Sequence, residues 1–191
     1  MQNVFCYLQG RIEQLQDYHN HKEIMSNAGF IVQLTLFSSI IVETVWPPSW
    51  ISSITKYEDL SVWIVYSFFW FITHIYVSWQ LQNKIVASLY INGYVEALKQ
   101  LTFHPNTINE SQYTPYNIKE ESSKIQQIWG LFIPCKKVSI KFDINTLEYP
   151  NFIAYHIQQS FLKGTSAQLH ERLLLYGSII MWILASIRIL L

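Results

Sequence analysis

Residues 60–80 read LSVWIVYSFFWFITHIYVSWQ, and this stretch decides the fold. Its one residue able to carry charge near neutral pH is His74. Twenty-one helical residues, at about 1.5 Å each, cover roughly 30 Å, the thickness of a bilayer's hydrocarbon core. Trp63 lies near one end, with Tyr76 and Trp79 near the other, where amphipathic rings favour the headgroup level. A soluble core helix of this length carries a polar face, and here there is none. The stretch is read as a transmembrane helix.

The pattern extends downstream. Ile85, Leu89, Val95, Leu98 and Leu101 keep roughly helical spacing among Asn83, Lys84, Glu96, Lys99 and Gln100. One helix is expected from about Asp59 to Phe103, weakened at Gly93 and ended by His104-Pro105. Upstream, 47–59 is a short outer loop opened by Pro47-Pro48, which stops the preceding helix. That helix is the apolar run 28–46, the first span, which forms an antiparallel hairpin with 60–80. Residues 1–27 place Val4, Leu8, Ile12 and Leu15 at spacings of four, four and three, an amphipathic helix signal. Segments 1–27 and 81–103 leave the membrane on one side and are expected to pair as an antiparallel, coiled-coil-like stalk.

Residues 104–171 change character. The stretch 106–124 is polar and without period, a loop. Val138, Ile140, Phe142 and Ile144 alternate with Ser139, Lys141 and Asp143, which predicts a strand. With Ile128–Ile133 it suggests a β-hairpin within 125–148. Pro150 opens a short helix through Lys163 that Gly164 closes, and Thr165-x-x-Gln168 reads as a capping box. Residues 172–191 form the third span, with Arg188 in the last turn, where a cation suits the helix dipole. The fold class expected is a mainly α integral membrane protein with three transmembrane helices. A helical stalk and a small mixed α/β module, 104–171, complete it outside the membrane.

Composition agrees with a lipid-exposed chain. Only 14% of residues are charged, against about 25% in ordinary soluble domains. Thirteen basic and 13 acidic residues balance, which leaves no nucleic-acid footprint. Cys6 and Cys135 match no C-x-x-C spacing and read as free thiols. The first apolar run begins near Ala28, behind Glu13, Asp17 and Glu23, and is expected to serve as an anchor rather than a signal peptide. The 47–59 connection carries only Lys56, whereas most Lys and Arg lie on the other side. The positive-inside rule then puts the N-terminus and 81–171 on the cytoplasmic side of a bacterial or organellar inner membrane, and the C-terminus opposite.

Chemical motifs are sparse. Asp17, His19, His21 and Glu23 would fall on two faces of a helix, a poor arrangement for a metal and a natural one for a solvated face. His170-Glu171 lacks the second histidine of a metalloprotease helix, and no phosphate-binding or nucleophile-elbow glycine pattern occurs. No catalytic residue, metal or cofactor is expected. The informative residues are polar ones inside the spans, which are costly in lipid without partners. Gln33 and His74 lie at depths that differ by about 3 Å. Glu43 and Arg188 each lie about one turn inside the opposite surface. Both pairs are expected to join spans. Gly177, Ser178, Ala185 and Ser186 give the third span a small-residue face suited to close helix packing and self-assembly.

These features suggest a non-enzymatic oligomeric membrane effector. Its cytoplasmic module would receive a signal or partner, and its spans would form a pore or perturb the bilayer. The layout loosely resembles membrane effectors of bacterial antiphage and stress systems, in architecture alone. The alternative is a structural accessory subunit of a larger respiratory or transport complex. The expected partners are the lipid bilayer with either further copies or other membrane subunits.

Overall fold

The computed structural model describes residues 2–42, 58–104, 108–109, 112–113, 150–163 and 169–190. They form four α-helices: α1 (Gln2–Val42), α2 (Glu58–Phe103), α3 (Pro150–Lys163) and α4 (Leu169–Leu190). The length of α1 and α2, 41 and 46 residues, follows from where the prolines stand. All six, at 47, 48, 105, 115, 134 and 150, lie outside these two helices, and Pro150 opens α3 at a position that needs no amide donor. The His104 amide donates to the Gln100 carbonyl at 2.9 Å and closes α2 just before Pro105.

One expectation needs correction. No strand occurs among the described residues, and the described helix of 104–171 is α3, so the mixed α/β character of this module is not supported. The hairpin expected at 125–148 lies outside the described residues. An alternating run marks a strand only when other elements cover its apolar side, and a lone hairpin is marginal in water.

The helices build two compact units. The first takes 2–22 of α1, 82–103 of α2, and α3; the second takes 23–42 of α1, 58–81 of α2, and α4.

In the second unit the three helices touch one another. A Cβ on Gly29 would lie 2.8 Å from Val77 Cγ2, so glycine sets the close approach of α1 to α2. Phe30 of α1 meets Gly177 of α4, and Leu175 of α4 packs with Val77 and Leu81 of α2. Ile40, Tyr66, Trp70 and Ala185 form the core at the far end. With 29 opposite 77 and 40 beside 66, α1 and α2 run antiparallel. Three of the helices are long and apolar enough to cross a membrane.

The surface of this unit is inverted relative to a soluble domain. Among the described residues, 22 large apolar side chains are exposed; 19 belong to the second unit and three (Tyr18, Phe103 and Leu162) to the first. Thr35 and Ser39 lie among those outer apolar residues and donate to the carbonyls of Ile31 and Thr35, each at 2.9 Å. Their hydroxyls are thus satisfied within their own helix.

The first unit has an ordinary hydrophobic core. Val4 and Leu8 of α1 pack with Tyr94, Ala97 and Leu101 of α2 and with Phe152, Ile153, Ala154 and Ile157 of α3. The expected two-helix stalk is therefore a three-helix core. Of the expected stripe on α2, Leu89 and Leu101 are buried, whereas Ile85, Val95 and Leu98 are half-buried; Tyr94 and Ala97 are buried with α3 in the same core, and Lys84 is 1% exposed. At Gly93, α3 comes close to the α2 backbone. A Cβ there would lie 2.6 Å from Ile157 Cα and 3.0 Å from its nitrogen, and backbone atoms cannot swing aside.

Gly93→Ala separates two opposing effects. Helix propensity alone would stabilise α2 by about 1 kcal/mol. Overpacking against the α3 backbone costs about 1–3 kcal/mol and should win. Thermal unfolding in detergent should show a lower midpoint for the variant, and a higher one would mean that α3 does not sit on Gly93.

Candidate functional site

The densest polar constellation is inside the second unit. On α2, Trp63, Ser67, Trp70 and His74 recur at intervals of four, three and four, which puts them on one face. On α4, Ser178, Trp182 and Ser186 recur every four residues. The two faces interlock through three indole-to-serine hydrogen bonds. Trp63 Nε1 donates to Ser186 Oγ at 2.9 Å, Trp182 Nε1 to Ser67 Oγ at 3.0 Å, and Trp70 Nε1 to Ser178 Oγ at 3.0 Å. Trp70 Nε1 also lies 3.0 Å from the Ser178 carbonyl. The rings stack as well: Trp70 lies on Trp182 and on His74, each with centroids 5.0 Å apart.

Ser178 is the hub. His74 Nδ1 lies 2.9 Å from its Oγ, and both residues are fully buried. The Ser178 hydroxyl already accepts from Trp70, and its own hydrogen finds its acceptor in His74 Nδ1. That assigns His74 the neutral tautomer with hydrogen on Nε2. A serine hydroxyl donating to an imidazole is the arrangement of a nucleophile and its base. Here both groups are closed off by the bundle, and what the contact does is fasten α2 to α4.

The residues expected from the sequence are distributed as follows. His74 is bonded to Ser178. Gln33 is buried at 2% exposure, yet neither its Oε1 nor its Nε2 makes a hydrogen bond among the described residues. No hydrogen bond therefore joins Gln33 to His74. Glu43 lies outside the described residues, and Arg188 is exposed in the last turn of α4. Of the small-residue face, Ser178, Ala185 and Ser186 are turned to α2 and Gly177 to Phe30 of α1. That face is used inside the protomer. Sequence reasoning missed the tryptophans as cross-helix donors, and Ser78 and Gln80 as further buried polar residues. The matched four-residue spacing of Trp and Ser on two spans was the available signal.

Among the described residues no group of three or more His, Cys, Asp or Glu side chains could hold a metal ion. No family model, curated protein or solved structure matches the chain. Function must be argued from the geometry.

The first unit has a smaller polar chain. His156 Nε2 lies 2.8 Å from Gln100 Oε1 and donates to it, and Gln100 Nε2 lies 3.4 Å from Tyr113 Oη. Phe152 packs edge-on to His156 with centroids 4.7 Å apart. Burial, helped by Lys163 and opposed by Glu96, holds His156 below its ordinary pKa. Burial and Tyr94 push Tyr90 up to about 12, against Arg11, so its hydroxyl stays protonated.

Ser178→Ala removes the partner of His74 Nδ1 while leaving Trp70 its carbonyl acceptor. A cycle with His74→Phe, read by unfolding in detergent, should give a coupling of about 0.6 kcal/mol, the average for hydrogen bonds between membrane helices, and at most about 1.7 kcal/mol. Additive effects would mean that the two groups do not meet. For His156, the folded pKa lies below the unfolded value of about 6.5. The unfolded state then binds more protons, so this contribution is present above about pH 6.5 and lost as pH falls through the folded value. Protease resistance of the first unit should drop on acidification, and His156→Gln should flatten that drop.

Proposed function

We propose that this chain is an integral membrane protein with a non-enzymatic role. The first unit and the rest of 104–171 receive a signal or partner, and the apolar helices act on the bilayer as an oligomeric pore or membrane-perturbing assembly. The observation that carries this reading is the inversion of the second unit. Its outer faces carry Ile31, Val32, Ile64, Phe68, Ile180 and Leu184 exposed, while Gln33, His74 and Ser178 are inside. In water such a surface would be an aggregation patch; in lipid it is solvated. Both α1 and α2 also belong to both units without a break, which suits transmission between them.

The orientation proposed is cytoplasmic for the N-terminus and 81–171, on the lysine and arginine asymmetry around 47–59. One observation favours a second reading, an accessory subunit of a larger membrane complex. The small-residue face of α4 is consumed within the chain, so contacts with other proteins fall to the branched and aromatic outer faces.

Mass in mild detergent separates the two. The protein expressed alone should run as a discrete multimer and release dye from liposomes. A monomer that is stable only when co-expressed with other membrane proteins would replace the first reading by the second. Single cysteines at Ser53 and Ser122, with Cys6 and Cys135 changed to Ser, should react with an impermeant thiol reagent from opposite sides. Labelling of both from one side would overturn the three-span topology.

A further inference from the structure

We infer that the interior of the second unit holds at least one ordered water molecule on the side-chain amide of Gln33. The inference is independent of the proposed function.

Gln33 shares a face of α1 with Gly29 and Ile40, and both of these pack against α2. With Gly29 opposite Val77 and Ile40 beside Tyr66 and Trp70, Gln33 is level with Thr73 and His74, the turn that carries the contacts to Ser178. Its neighbours Val32 and Leu34 are 49% and 45% exposed on the outer surface, whereas Gln33 is 2% exposed. Its own chain therefore covers it, and no lipid or second copy reaches it without opening the bundle.

The amide has two unmet functions. Oε1 needs a donor and Nε2 needs an acceptor, and neither has one among the described residues. Leaving both unmet in an apolar interior is far costlier than immobilising a water molecule. The ligand's chemistry follows from the pair. A cation suits Oε1 and is repelled by the N–H hydrogens beside it, and an anion meets the reverse conflict. A small neutral molecule that both donates and accepts satisfies the two atoms together. Water is the smallest such molecule and the usual occupant of buried polar sites.

The test uses the whole protein in detergent micelles, perdeuterated except for exchangeable sites and labelled with 15N in glutamine side chains. Rotating-frame and laboratory-frame Overhauser transfer should show a water cross-peak on the Gln33 amide protons, with the sign of a molecule held for nanoseconds or longer. It should vanish in Gln33→Met, which keeps the shape and removes both polar atoms. Absence of a water cross-peak on that amide, or transfer only from aliphatic protons, would overturn the inference. Should Gln33→Met fail to fold, Gln33→Asn assigns the resonance by its displacement, and the wild-type cross-peak alone decides.

Discussion

The second unit depends on a constraint that soluble domains escape: its outer faces are lined with exposed apolar side chains, and in a bilayer burial of hydrocarbon would give its helices little reason to associate. In such a setting packing and hydrogen bonds between helices must hold the bundle. Here the work falls to indole N–H groups. Each of Trp63, Trp70 and Trp182 donates to a serine hydroxyl on the facing helix, and a serine is small enough to let an indole lie flat against the backbone it bonds. The same contacts bring the rings into stacks, so one set of side chains supplies both the packing and the directionality.

The first unit solves the other problem. Val4, Leu8, Leu101, Phe152 and Ile157 are removed from water, and polar residues such as Gln100 and His156 stay at its margin with partners of their own. Two long helices thus meet two kinds of surroundings along their length. The chemistry of α2 changes accordingly: Ser67 accepts from Trp182 on another helix in one unit, whereas Ser88 bonds its own helix at the Lys84 carbonyl in the other. Exchanging the two halves of α2 would break both sets of contacts.

Much of this was legible in the residues. The apolar run 60–80 and the positions of the prolines are enough to set the helices and their breaks, because both act through local chain geometry. The exact buried stripe on α2 was not legible, since it depends on α3 arriving at Gly93 and Ala97 from far along the chain. The strand expected at 138–144 lies outside the described residues. Depth matching paired Gln33 with His74; both are buried, but no hydrogen bond joins them, because depth gives no azimuth. Azimuth is what assigns His74 to Ser178 of α4.

The placement of the small residues carries a further consequence for assembly. Small faces permit close backbone approach only once, and Ser178, Ala185 and Ser186 are already turned to α2. A second copy would have to meet side chains such as Ile64, Phe68, Ile180 and Leu184, which hold backbones farther apart. Contacts of that kind are broad, dominated by dispersion, and compete directly with lipid tails that offer the same atoms. Assembly through these faces would therefore respond to lipid packing far more than the interior of a protomer does, whose cross-helix hydrogen bonds no lipid tail can replace.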